Sequence, residues 1–181
     1  MAIRLRSART RSAVNRELPR GLALAMLLLA ANCSGPPPPP PPPPPTLVKV
    51  EVSAAMNANL TPEGQGAPVA TKVYQLASKS TFDGAEFFAL YKTDTATLGP
   101  DLIKKDEFLL VPGEAKSLSF TPADTVNAIG IFAAYRDFQN VKWHASADIP
   151  AHQTTTLTVT ADSTGIKLVA KSEKPEKPAK P

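Results

Sequence analysis

Ten consecutive prolines, residues 36–45, constrain this chain more than any other feature. Proline fixes φ and has no amide hydrogen to donate, so the run can join neither a helix interior nor a sheet ladder. An extended polyproline II rod of roughly 31 Å is expected, at about 3.1 Å per residue. The chain is thereby divided into a leader before the rod and a folded part after it.

The leader carries Arg4, Arg6, Arg9, Arg11, Arg16 and Arg20, followed by an uncharged apolar run over residues 22–31. A basic arm and a short apolar stretch are the marks of a secretory signal. A membrane-spanning helix needs roughly 20 apolar residues, about twice what is present. Ala30 and Ala31 lead through Asn32 to Cys33, the only cysteine. This order resembles the lipobox of bacterial lipoproteins, with Asn32 where that pattern usually has a small residue. The resemblance implies cleavage before Cys33 and acylation of its new amino terminus. Ser34, in place of Asp, implies sorting to the outer membrane. The competing reading is ordinary cleavage nearby, with Cys33 a spare thiol.

The formal charge of +4 is misleading. Six of the twenty basic residues and one of the sixteen acidic residues precede Cys33, leaving 14 against 15 in the remainder. A nucleic-acid partner, which needs a basic face, loses its support. The division expected is signal peptide 1–32, lipidated cysteine and stalk 33–45, one folded domain 46–170, and a disordered Lys/Pro tail 171–181. About 125 residues suffice for a single core. With one cysteine no internal disulfide can reinforce it.

Val48, Val50 and Val52 alternate with Lys49, Glu51 and Ser53, the period of a half-buried strand. Residues 57–67 are rich in Asn, Pro and Gly and make a long exposed loop. Such a length is either functional or a tolerated insertion. Residues 69–77 form a second strand, with Val69, Thr71 and Val73 on one face and Lys72, Tyr74 and Leu76 on the other. Ser80 or Thr81 starts one amphipathic helix of about ten residues ending near Lys92, with Phe87, Leu90 and Tyr91 on its buried side. Leu102 and Ile103 make a short helical turn. Residues 107–111 and 115–120 pair as a hairpin about a type II turn at Pro112-Gly113. Residues 128–135, without charge, are a central strand buried on both faces. Three more strands follow over 143–149, 154–160 and 165–170. About eight short strands and one small helical insertion make the fold mainly β, a two-sheet β-sandwich.

Chemistry is hard to find. His144, read as a solvent-facing strand residue, and His152 are the only histidines, too few for a zinc site. No nucleophile elbow, metalloprotease helix, phosphate loop or EF-hand series occurs. Catalysis, a metal, a cofactor and a small-molecule substrate are not expected.

The order of pieces carries a resemblance. The lipobox-like cysteine, the strand Pro68-Val69-Ala70-Thr71-Lys72-Val73-Tyr74-Gln75-Leu76, Leu98-Gly99-Pro100-Asp101, the Pro112-Gly113-Glu114 turn, Ala133-Ala134-Tyr135-Arg136-Asp137 and Trp143 resemble the TssJ outer-membrane lipoproteins of type VI secretion. The resemblance spans about residues 48–169 and excludes the proline stalk and the tail. It implies a transthyretin-like sandwich facing the periplasm and a partner, the periplasmic C-terminal region of the inner-membrane protein TssM. It further implies that the loop between the first two strands is the contact, here Asn57, Ala58, Asn59, Leu60, Thr61, Pro62, Glu63, Gly64 and Gln65. The alternative is a lipoprotein β-sandwich that binds a small ligand or an assembly factor, unrelated to secretion.

Overall fold

The valine alternation becomes β1 (Leu47–Ala54), which buries Val48, Val50 and Val52 and leaves Lys49 and Glu51 in water. In the computed structural model the described residues are 39–174, so the leader, Cys33 and residues 175–181 lie outside them. Residues 39–45 are exposed and belong to no strand or helix. Among the described residues, those from Pro42 onward form one compact unit.

The other strands are β2 (Val69–Leu76), β3 (Leu102–Leu110), β4 (Ala115–Phe120), β5 (Ala128–Ala133), β6 (His144–Asp148), β7 (Thr154–Asp162) and β8 (Gly165–Glu173). They make two four-stranded sheets, ordered β4-β1-β7-β8 and β3-β2-β5-β6. Only the β1/β7 pair is parallel among the strand pairs described. The eight-strand sandwich expected from the sequence is therefore present. Val50, Val73, Ile129, Ile131, Leu157 and Val159 are fully buried between the sheets, each stabilising by about 1.5–3 kcal/mol.

The hairpin expected about Pro112-Gly113 is not one. The turn itself forms, with the Glu114 amide donating to the Val111 carbonyl at 2.9 Å and Gly113 at φ +84°. That φ suits glycine at the third position of a type II turn. But β3 pairs with β2 and β4 with β1, so the turn carries the chain from one sheet to the other. Leu102 and Ile103 likewise begin β3 rather than a helical turn. At the far end β8 runs to Glu173, so residues 171–173 of the expected tail are paired with β7.

The single helix is three: α1 (Ser80–Asp83), α2 (Phe87–Lys92) and α3 (Asp94–Leu98), followed by a 3-10 turn (Gly99–Asp101). Glu86 is extended at ψ 150°, keeping α1 apart from α2, and Thr93 sits at φ −134° between α2 and α3. The breaks let Phe82, Phe87, Leu90 and Leu98 all reach the sheet, where with Tyr74, Leu76 and Phe132 they form a second core. This layer covers the outer face of β2 and β5, which is why both strands are buried on two sides.

A buried charge cluster fastens the layer down. Lys72, 5% exposed on β2, donates to the Leu90 carbonyl at 3.0 Å, the Tyr91 carbonyl at 3.1 Å and Asp94 Oδ2 at 2.9 Å. Asp94 also accepts from Tyr74 at 3.0 Å, Lys105 at 3.0 Å and the Thr95 amide at 2.7 Å. Burial alone would raise the Asp94 pKa, but the bonds from Lys72, Lys105 and Tyr74 outweigh it and hold the carboxyl well below its usual range.

Candidate functional site

The sandwich has two ends, and β1 separates them by roughly 26 Å at about 3.3 Å per residue. At one end the proline run joins: the His152 amide donates to Thr46 Oγ1 at 2.9 Å, and His152 Nδ1 lies 2.9 Å from the Pro44 carbonyl oxygen. At the other end are the connection from β1 to β2, the Pro112-Gly113 turn, the segment after β5 and the β7–β8 turn.

The β1–β2 connection is built in two parts. Its base is part of the fold. Ala58 is fully buried, its carbonyl accepts from the Ala67 amide at 3.0 Å, and its own amide donates to Ala55. Asn59 is 8% exposed and left-handed at φ 49°, a conformation asparagine tolerates better than most residues. Its Nδ2 donates to the Pro68 carbonyl at 2.7 Å and its Oδ1 accepts from the Arg136 amide at 2.8 Å, tying the loop to the segment after β5. Asn57 reaches Ser163 Oγ at 3.2 Å. Gly66 lies so close to the Met56 carbonyl that any Cβ would collide with it.

The tip is self-contained. The Thr61 amide donates to Gln65 at 2.7 Å, the Gly64 amide to Thr61 at 2.9 Å and the Gln65 amide to Thr61 Oγ1 at 3.3 Å. Leu60, Pro62, Glu63, Gly64 and Gln65 are exposed. The nine residues singled out from the sequence thus divide: Asn57, Ala58 and Asn59 position the loop, and the six after them present it. Cys33, the other residue singled out, lies outside the described residues.

Sequence reasoning missed what stands beside the tip. A groove of about 320 Å³ is lined by Asn59, Leu60, Thr61 and Pro62 on one side and by Tyr135, Arg136, Asp137, Val141 and Ser163 on the other. The Arg136-Asp137 pair directly after an uncharged strand was the available signal. Tyr135 plugs this end of the core at 3% exposure. Burial, and then the charge of Asp162, push its pKa up against an opposing pull from the Asp162 backbone, and its hydroxyl has no partner in good hydrogen-bond geometry among the described residues. A buried unpaired hydroxyl costs stability. Tyr135→Phe should therefore raise stability by about 1 kcal/mol in urea unfolding; a loss of that size would show that the hydroxyl has a partner.

One histidine reading changes. His144 is half-buried, its ring 4.0 Å from that of Trp143 and 5.6 Å from Phe82, rather than facing solvent. Nearby Ser146 donates its hydroxyl to Asp83 at 2.7 Å, which leaves no serine–histidine relay there. Among the described residues no cluster of three or more metal-ligating side chains occurs, and no helix is long and apolar enough to cross a membrane.

The comparisons with known proteins agree with one another. No curated protein matches the chain. It is similar to the type VI secretion lipoprotein TssJ1 of Pseudomonas aeruginosa, at 38% identity and a TM-score of 0.68, over 71% of this chain and 98% of that one. It is similar also to Lip of Serratia marcescens, a membrane-bound component of the type VI secretion system, at 25% identity and a TM-score of 0.63, over 68% and 96%. A chain in the solved structure of the TssM C-terminal domain from EAEC shares the fold at 22% identity and a TM-score of 0.57, over 67% and 99%. The family model for type VI secretion lipoproteins (VasD, EvfM, TssJ, VC_A0113) matches residues 46–164. That span takes in β1 to β7, the helical layer and the β1–β2 loop, and the chain belongs to the type VI secretion lipoprotein family.

Proposed function

We propose that this lipoprotein is a tether: acyl chains on Cys33 hold it in the outer membrane, and the loop of residues 57–65 holds the periplasmic C-terminal region of TssM. The observation that carries the reading is the polarity of the domain. The stalk joins before β1 and the loop follows it, so a load applied at the tip passes along a strand paired on both sides to the residues that clasp the stalk. A rigid base and a self-bonded exposed tip suit a contact element, because little order has to be created on binding. The partner is the one the family resemblance implies, and no chemical step is needed. Family membership favours this reading over a binding module unrelated to secretion.

One acyl chain binds a bilayer only marginally, so firm anchoring takes more than one. Cys33→Ser should release the protein from outer-membrane fractions into the soluble periplasm, with the fold unchanged by circular dichroism. A variant that stays with the outer membrane would mean that another part of the chain anchors it.

A further inference from the structure

The six residues of α2 are apolar on two sides. Phe87 and Leu90 enter the core beneath the helical layer at 7% and 0% exposure. Phe88 and Tyr91, also three apart, face outward with 52% and 47% of their surface in water. A helix that only had to cover the sheet would carry polar residues there. Phe138 completes an aromatic shelf. Its ring centroid is 4.3 Å from that of Phe87 and 5.1 Å from that of Phe88, while Tyr91 stacks on Phe87 at 5.9 Å.

The shelf floors a concavity of about 340 Å³ whose far wall is Asn59, Tyr135 and Arg136. These three residues also wall the groove beside the loop tip, so one ridge joins the two surfaces. Cations stand at both margins. Lys92 Nζ lies 5.3 Å above the Phe88 ring and Arg136 is exposed on the ridge. Among the described residues neither has a carboxylate within ion-pair distance. Asp137 accepts from Asn140 at 2.7 Å, and Glu63 on the loop is the acidic group whose field reaches Arg136.

We propose that the partner gripped by the loop also lays an apolar side chain flanked by carboxylates on the shelf of Phe88, Tyr91 and Phe138. This rests on the tether reading and extends its interface from the loop to the helical layer. Exposed aromatic anchors beside unpaired cations fit an acidic, apolar segment better than a neutral one.

The test measures affinity of the full chain for the purified TssM C-terminal periplasmic region. Phe88→Ser with Tyr91→Ser should weaken binding at least tenfold, roughly, at an unchanged melting midpoint. Arg136→Glu should weaken it too and flatten its salt dependence. Phe88→Ala alone decides the matter if the double variant melts early. If affinity stays within about twofold while a variant lacking residues 60–65 loses binding, the shelf is overturned and the tether reading stands. If neither variant weakens binding, both are overturned. A change confined to self-association in sedimentation would make a second copy the occupant and overturn the proposal.

Discussion

Replacing residues 60–65 by two glycines should reduce capture of the TssM C-terminal periplasmic region by about 100-fold or more, which is about 2.7 kcal/mol. The fold should survive. The hydrogen bonds that support the tip run among Thr61, Gly64 and Gln65 and leave with it. What ties the loop to the sandwich stays: Asn59 keeps the Pro68 carbonyl and the Arg136 amide, and Ala58 keeps Ala67. The 58–67 bond holds the two cut ends close together, so a short connection can close, and loop-closure entropy changes only slowly with length. Asn59→Ala is the opposite case. It removes an internal tie rather than an exposed contact, so it should lower stability along with binding. A loop replacement that binds with unchanged affinity would move the contact elsewhere on the domain.

Asp94→Ala should cost about 3–5 kcal/mol, because Lys72 would remain buried with its charge uncompensated. Whole domains of this kind have only about 5–15 kcal/mol in hand. Lys72 would keep the Leu90 and Tyr91 carbonyls and lose its counter-charge, and Tyr74 would lose its acceptor. Lys105 is about a third exposed and can turn to water. The damage should therefore centre on the helical layer, with Phe82 and Phe87 losing order first. Replacing both partners, Lys72→Met with Asp94→Leu, should recover most of the loss, since apolar groups of similar volume substitute for buried pairs at little cost. Urea unfolding of both variants measures this; an Asp94→Ala loss below about 1 kcal/mol would mean that the cluster is solvated. Acid should act similarly. The folded Asp94 pKa is depressed below the ordinary 3.8, so its contribution is complete above about pH 4 and is lost as pH falls further.

What the sequence disclosed and what it hid follow one division. Local regularities were legible: the alternation of Val48, Val50 and Val52, the uncharged run that became β5, and the Pro112-Gly113 turn with its positive φ. Which sheet each strand joins was not, because turn chemistry fixes the bend and not the partner. Residues 107–111 and 115–120 therefore looked like a hairpin although they bridge two sheets. Alternation places Lys72 on one face with Tyr74 and Leu76, but nothing near it in the chain tells that a layer 18 to 22 residues later will cover that face and supply its counter-charge. Tyr91, grouped by spacing with Phe87 and Leu90, instead faces outward: Phe87 and Leu90 take the buried side of α2, and Tyr91 stacks on Phe87 at the rim of that side. At the loop, composition marked an exposed segment but could not separate Asn59, which holds it, from Leu60 to Gln65, which it displays. Arg136 and Phe138, remote in sequence, complete the surface only in the folded domain.

The most direct measurement is of the bridge itself. Outer membranes would be isolated from cells making the intact chain, Cys33→Ser, or the 60–65 replacement, and the TssM C-terminal periplasmic region retained on them quantified. The tether account expects retention with the intact chain and loss with both variants, the first because the membrane end is cut and the second because the partner end is. Equal retention in all three would contradict it.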